Sequence, residues 1–274
     1  MESNLAEPGW TEEQWGRIVS TVSEEAQKGR VAAQALPLSG PEERKTIAIP
    51  NYRITLGSSL SVDSDPTLYL STIAVNVELR THEVGDPDLN AALVMFRRAA
   101  NAIARIEDAL IFNGRAPNAL PAGLAAGITT PPFTVTGSGD PIGIFQGSTR
   151  KPPSSGIFQR IVDAITALES DGQLGPYACF LSNDLFKEAC DPTPSLVLPR
   201  DRILPFLEGP LLRSSAIQEK RGAVVALGGS PVEIVVASDI HVRFLQTTPD
   251  GRSLFRVSER VALRVKDLHA IAVL

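Results

Sequence analysis

Three histidines, two cysteines and several paired carboxylates are the side chains of this sequence with chemistry to offer. His82, His241 and His269 would serve as metal ligands or general bases, but they stand in no ligand spacing with one another or with the cysteines. Cys179 lies in an apolar run and Cys190 closes a short helical pattern, so both read as buried or incidental thiols without an activating partner. Two thiols in 274 residues build neither a disulfide framework nor a four-thiolate zinc site, and they suit a reducing compartment. Gly137-Ser138-Gly139 lacks the strand before it and the capped helix after it that a phosphate cradle needs, and no G-x-S-x-G elbow exists. Glu12-Glu13, Glu24-Glu25 and Glu42-Glu43 pair carboxylates on segments expected to be solvated, whereas a general-acid pair needs a pocket that separates two pKa values. The reactive groups do not converge, and no metal or cofactor site is expected.

Composition narrows the class further. With 26 Lys+Arg against 31 Asp+Glu the formal net charge is −5, which leaves no broad basic face for a phosphate backbone and argues against nucleic acid as a partner. No apolar run approaches the roughly 18 residues of a membrane span, so no membrane partner is expected. The first residues are acidic and broken by Pro8 and Gly9, unlike a secretory signal, and a soluble, cytoplasmic protein is expected.

What the chain does invest in is shape. Thr11 as N-cap, Gln14 at N3 and Trp10 placed to staple against Trp15 spell the start of a helix. Trp15, Ile18, Val19, Val22 and Ala26 repeat along it at helical spacing up to Gly29, while Glu12, Glu13, Arg17, Ser20 and Glu24 mark an outer face. Over 46–62 and 67–80 the period falls to two, with Asp63-Ser64-Asp65-Pro66 as a turn between, which predicts one long two-stranded arm. A ribbon of that kind is marginal in water by itself, so the body or another subunit must cover it.

Asp86 as N-cap with Pro87 at N1 opens a long spine helix whose series Leu89, Leu93, Phe96, Ala100, Ile103, Ile106 and Leu110 runs to Gly114. The Pro- and Gly-rich stretch 115–155 reads as a long loop. Helical spacing returns over 156–170, a buried strand follows at 176–181, and a short helix spans 183–190. The proline-studded loop 191–200 precedes another short helix from Asp201. Five or six strands follow at 211–217, 223–227, 232–237, 241–246, 253–259 and 261–265, with turns at Gly228-Gly229 and Pro249-Asp250-Gly251. The chain ends in apolar sequence, 270–274, which a free terminus would not carry.

These elements, in this order, resemble the encapsulin (linocin-like) family of nanocompartment shell proteins. The residues that carry the resemblance are Gly175-Pro176-Tyr177-Ala178 with Cys179-Phe180-Leu181-Ser182 after it, Glu107-Asp108-Ala109-Leu110-Ile111-Phe112-Asn113-Gly114 at the close of the spine, and Glu12, Trp15 and Ile18 in the first helix. Ser238-Asp239-Ile240 is similar to the family's aspartate-hydrophobic step before a terminal strand. The resemblance implies an α+β fold of the Hong Kong 97 type found in tailed-phage capsids, with N-terminal helix, extended loop, spine helix in a peripheral domain, and an axial domain. It divides the chain into 1–45 (N-terminal helix and arm), 46–85 (extended-loop ribbon and adjoining strand), 86–155 (spine helix and long loop), 156–227 (mainly axial) and 228–274 (strands returning to the peripheral domain).

By the same resemblance the subunit has no catalysis of its own. It would self-assemble into an icosahedral homo-oligomer around a cargo enzyme that carries a C-terminal targeting peptide. The peptide's docking surface would involve Trp15, Ile18, Val19, Val22, Asp239, Ile240 and His241, unless that stripe is core against the spine. The loop Asp191, Pro192, Thr193, Pro194, Ser195 and Arg200 would line a pore that gates small molecules. Val31-Ala32-Ala33-Gln34 departs from the family pattern after the first helix, which bears on the peptide pocket. Some members stack a flavin on a tryptophan near the spine; here the tryptophans are Trp10 and Trp15, and no flavin is expected. A viral or prophage major capsid protein of the same fold, and an enzyme with an unrecognised site, are the competing readings.

Overall fold

The computed structural model describes residues 9–41, 46–56, 60–63, 67–114, 133–137, 142–146, 156–192 and 197–274. Helix α1 (Glu12–Gly29) starts with the anticipated capping box: Thr11 Oγ1 accepts from the Gln14 N–H at 3.2 Å, and the Gln14 side chain accepts from the Thr11 N–H at 3.0 Å. Trp10 meets Trp15 edge-on with ring centroids 5.1 Å apart, and it stacks on Phe255 at 4.9 Å. The aromatic cluster of Trp10, Trp15, Phe96, Phe244 and Phe255 therefore nails the start of α1 to the body.

A short strand β1 (Leu38–Ser39) follows, then the arm. Strands β2 (Ala48–Ile49) and β5 (Leu68–Tyr69) pair at its base, and β3 (Arg53–Leu56) pairs with β4 (Leu60–Asp63) in register Ile54↔Val62. The arm is shorter than the alternation predicts. Its strands pair out to Leu56↔Leu60, and β4 still runs through Asp63; residues 57–59 and Ser64, Asp65 and Pro66 lie outside the described residues. The second half of the expected ribbon is instead β6 (Ser71–Leu79), a central strand of the body. Ile73, Val75, Val77 and Leu79 form its buried face, so the alternation was real but its partner was elsewhere.

After the single turn α2 (Thr81–Val84), the spine helix α3 (Asn90–Asn113) extends for 24 residues. At ~1.5 Å per residue it is about 36 Å long. It begins later than Pro87, because Leu89 takes a left-handed conformation (φ 56°) that interrupts the helical run. Asp86 still caps it: its carboxylate accepts from the N–H of Asp88 at 3.0 Å and of Asn90 at 2.9 Å. Gly114 ends the helix at φ 66° and donates its N–H to Leu110 O at 2.8 Å.

Two pieces of the stretch read as a structureless loop are ordered elements. Phe133-Thr134-Val135-Thr136 is strand β7 (Phe133–Thr136), which pairs with β6. Residues 142–146 lie across the end of the spine, where the N–H groups of Ile144 and Phe145 donate to the carbonyls of Ile111 and Phe112 at 2.9 and 3.0 Å. Gln146 Nε2 donates to Asn113 O at 2.8 Å, so three carbonyls that a helix end leaves open are satisfied by this segment.

Helix α4 (Ile157–Ser170), strand β8 (Tyr177–Leu181) and helix α5 (Asn183–Cys190) follow the sequence reading. Helix α6 (Pro199–Leu207) begins two residues early, because Pro199 at its first turn needs no N–H partner. Strands β9 (Leu211–Arg213) and β10 (Gly222–Ala226) come next. The segments 232–237 and 241–246 are one strand, β11 (Val232–Thr247), and 253–259 with 261–265 are likewise one strand, β12 (Ser253–Val265). Register shifts between Val236 and His241 absorb Ser238-Asp239-Ile240 as a bulge, so these residues bend a strand instead of preceding one.

The strands form a five-stranded sheet in the order β1-β11-β12-β6-β7 and a four-stranded sheet β13-β10-β8-β9, where β13 is Ile271–Val273. The last strand thus joins the sheet of Tyr177–Leu181 and does not return with 228–265, since its apolar residues complete the buried edge of β10. One continuous apolar core runs from α1 and α3 through both sheets, and a smaller one of Ile49, Leu68, Leu70, Val235 and Ala237 seats the base of the arm.

A Cβ added to Gly143 would stand 2.2 Å from Gly114 N and 2.6 Å from Phe112 O, both backbone. Gly143→Ala is therefore expected to lower stability by about 1–3 kcal/mol, measured as a drop in the thermal midpoint.

Candidate functional site

The most constrained polar site lies where the end of α1 meets the spine. Arg30, the residue after α1, reaches three carboxylates from three other elements. Its Nε lies 2.6 Å from Glu107 Oε2 of α3, an ionic contact without hydrogen-bond alignment. Its Nη2 donates to Glu259 Oε2 of β12, and its Nη1 donates to Asp239 Oδ1 of the β11 bulge at 3.1 Å. The Glu107 and Glu259 side chains are 2% and 0% exposed, whereas that of Asp239 is 65% exposed.

Burial works against the charge on Arg30, but Glu259, Glu107 and Asp239 outweigh it and hold the guanidinium protonated. Burial, reinforced by the Glu259 charge against the pull of Arg30, pushes the Glu107 carboxyl well above the usual range. Glu259 is pushed up by burial too, although Arg30 opposes the shift.

Asp108 does a different job one residue further on. Its carboxylate accepts from the N–H of Val31 at 3.0 Å, from Ala32 N–H at 2.9 Å and from Ser214 Oγ at 3.2 Å. Burial raises it to about 7, against the lowering effect of those three donors. Asp108 thereby caps the 3-10 turn Ala32–Gln34, so the Val31-Ala32-Ala33-Gln34 segment that departs from the family pattern is held by its backbone.

The candidate docking residues divide. Ile18 and Val22 are 0% and 1% exposed against the core, so their side chains face α3 and not a partner, as the period of the helix requires of its central stripe. Val19, at 48%, is exposed, and Trp15 is half-buried in the aromatic cluster. Ile240 is half-buried against the core. His241 turns away: its ring lies between Ser238 Oγ at 3.2 Å and Ser258 Oγ at 3.4 Å, on the strand face opposite to Glu259. What the fold brings together at the surface is the Trp15–Val19 stripe and, at the other end of α1, the Arg30–Asp239 contact.

Of the candidate pore residues, Asp191 and Pro192 follow α5 and are exposed, and Arg200 is exposed in the first turn of α6, so it is helical. Thr193, Pro194 and Ser195 lie outside the described residues, as do Ser138 and Gly139 of the glycine stretch and the Glu42-Glu43 pair. Cys179 is fully buried and its thiol is pushed far up by burial. Among the described residues no three His, Cys, Asp or Glu side chains are grouped to hold a metal, and no helix is long and apolar enough to cross a membrane.

Sequence reasoning saw Glu107 and Asp108 only as a motif and missed Arg30 and Glu259. A signal for Glu259 was present: it falls in phase with Phe255, Val257 and Val261 on the inward face of β12, where a carboxylate needs a buried partner.

The fold and this joint can be set beside known proteins. A family model described as an encapsulating protein for peroxidase, Linocin_M18, matches residues 8–262. The chain belongs to that family. A relative, the type 1 encapsulin shell protein EncA of Myxococcus xanthus (strain DK1622), is 27% identical over 292 residues, covering 98% of this chain and 94% of the relative. The virus-like particle from Pyrococcus furiosus has the same fold at TM-score 0.72 and 16% identity, over 96% of this chain and 100% of that one. The capsid of Myoviridae phage XM1 follows at 0.61 and 12% identity, over 89% and 90% of the two chains. The SrpI encapsulin complex from Synechococcus elongatus PCC 7942 matches at 0.58 and 11% identity, over 88% and 85%. The fold is thus the Hong Kong 97 type, and the chain is a structural, shell-forming encapsulin subunit rather than an enzyme.

Removing the cation from the joint is the direct test of its weight. Arg30→Leu leaves two buried carboxyls without their counter-ion and is expected to cost about 3–5 kcal/mol, read from chemical denaturation of the purified protein.

Proposed function

We propose that copies of this chain close into an icosahedral shell around a cargo enzyme, and that each arm lies on a neighbouring copy. The observation that carries this reading is the apolar face of the hairpin. Ile54, Leu60 and Val62 share it by register, and Leu60 and Val62 are 73% and 63% exposed in the single chain. At about 25 cal/mol per Å2, covering such a face contributes modestly per contact, but closed symmetry repeats the contact at every subunit. Among the described residues the edges of this two-stranded ribbon have no strand partner, although Ile54 N–H is held by Lys266 O, and they ask for the same partner.

Cargo is held, in this reading, by a C-terminal targeting peptide laid along the exposed part of α1, where Trp15 and Val19 supply the apolar stripe and Asp239 a charge near its far end. Ile18 and Val22 take no part. Small molecules enter past the segment that includes Asp191, Pro192, Thr193, Pro194, Ser195 and Arg200. The compartment is the cytoplasm, in keeping with two cysteines that are both free. A phage-type capsid packaging nucleic acid is the second reading, supported by the likeness to the XM1 capsid; absorbance and nuclease treatment of purified particles separate the two.

Leu60→Asp combined with Val62→Asp is expected to leave the circular dichroism spectrum of the chain unchanged while abolishing shells in electron micrographs. Shells of unchanged size and yield would remove the arm from the assembly. Val19→Asp is expected to leave shells intact but reduce cargo density at least about tenfold, the equivalent of 1.4 kcal/mol, in particles expressed with their genomic neighbours. Undiminished cargo would move the docking surface elsewhere.

A further inference from the structure

We propose that Glu107 and Glu259 share one proton across the contact between α3 and β12, and that this proton is a pH-sensitive latch on the end of α1. The geometry makes the argument. Two buried carboxyls converge on one guanidinium, Glu107 Oε2 2.6 Å from Arg30 Nε without hydrogen-bond alignment and Glu259 Oε2 bonded to Nη2, and Glu259 Oε1 has no hydrogen-bond partner. Carboxylates have no proton to donate, so a hydrogen bond between them exists only when one is protonated.

The charge balance points the same way. The groups facing the pair are Arg30 from the end of α1, Asp108 from α3 and Asp239 from β11; the facing strand β6 offers Ile73 opposite Glu259. Asp108 is occupied by two backbone N–H groups and Ser214, and Asp239 is largely solvated. One guanidinium is therefore left to balance two buried carboxyls. With the shared proton the buried group is neutral, and without it a net negative charge sits where water cannot reach, which proteins tolerate poorly.

The sign of the pH dependence follows. Both carboxyls titrate above the ordinary glutamate range in the folded state, so the folded chain binds a proton that the opened chain gives up. The stabilisation is full below the ordinary range and is lost as pH rises through the folded value. The latch loosens towards alkaline pH. Because Arg30 is the residue that joins α1 to the 3-10 turn, the segment released first is 26–36. The device acts within one chain and stands whether or not α1 carries cargo.

Hydrogen exchange of assembled wild-type protein and of Glu107→Gln, read by mass spectrometry over 26–36, tests it. Glutamine donates permanently where the protonated acid donates, without titrating. Any fall that the two proteins share belongs to Asp108, which titrates at about 7 and holds the Val31 and Ala32 N–H groups; after correction for the intrinsic pH dependence of exchange, wild-type protection is expected to fall at least about tenfold further with rising pH than that of Glu107→Gln. Equal falls in the two proteins would overturn the latch. If Glu107→Gln does not assemble, the infrared difference spectrum of Asp108→Asn, which removes the neighbouring buried acid, decides: the carbonyl band of a protonated buried carboxyl should be present at low pH and weaken with rising pH. Its absence at the lower pH would end the proposal.

Discussion

Three residues far apart in sequence, Arg30, Glu107 and Glu259, meet in one buried joint with the exposed Asp239 at its rim, and most of the architecture passes through it. The N-terminal helix ends there, the spine crosses it, and the two longest strands supply its other walls. A buried guanidinium tolerates little displacement, because each carboxylate it abandons is left uncompensated in a medium of low polarisability. The joint therefore sets the angle at which α1 leaves the spine. The aromatic cluster around Trp10 and Phe255 anchors the opposite end of the same helix. Between the two, Ile18, Val22 and Ala26 are fully buried, so α1 is pinned at both ends and along its length.

A rigid body of this kind explains how an exposed arm is useful and not merely a liability. The hairpin is tied down near its base, where Ile54 N–H donates to Lys266 O at 2.6 Å and Arg260 Nη1 donates to Thr46 O at 3.0 Å. Beyond that anchorage Leu60 and Val62 of its apolar face are left largely exposed among the described residues. The contact with a second copy proposed above would complete that surface. Several residues with chemistry to offer serve structure here: Cys179 packs in a strand, His241 lies between two serines, and the buried acids hold elements together.

How much of this was legible in the sequence depended on the range of the interaction. Thr11 and Gln14 close a loop of a few residues, and the capping box was legible because both partners lie within one turn, while the Gln14 side-chain N–H goes to Pro87 O. Asp86 was identified as a cap, but the left-handed turn at Leu89 shifted the helix start, because backbone geometry at one residue leaves no periodic trace. The alternation over 71–79 identified a strand and its buried face, yet assigned it to the arm. Alternation specifies a face, and it does not say which strand lies alongside. Bulges misled in the opposite direction, since Ser238-Asp239-Ile240 looked like a break and is a bend inside β11.

What the sequence determined by itself is local: the helices, their caps, the phase of the buried strand faces, and the family signature spread along the chain. Tertiary structure alone decided which strands pair, that the arm is short, that Ile18 and Val22 point inward while Val19 does not, and that Arg30 serves two buried glutamates at once. The physical reason is that periodicity and capping are set by neighbours within a few residues, whereas pairing and burial are set by whichever distant surface wins the competition to exclude water.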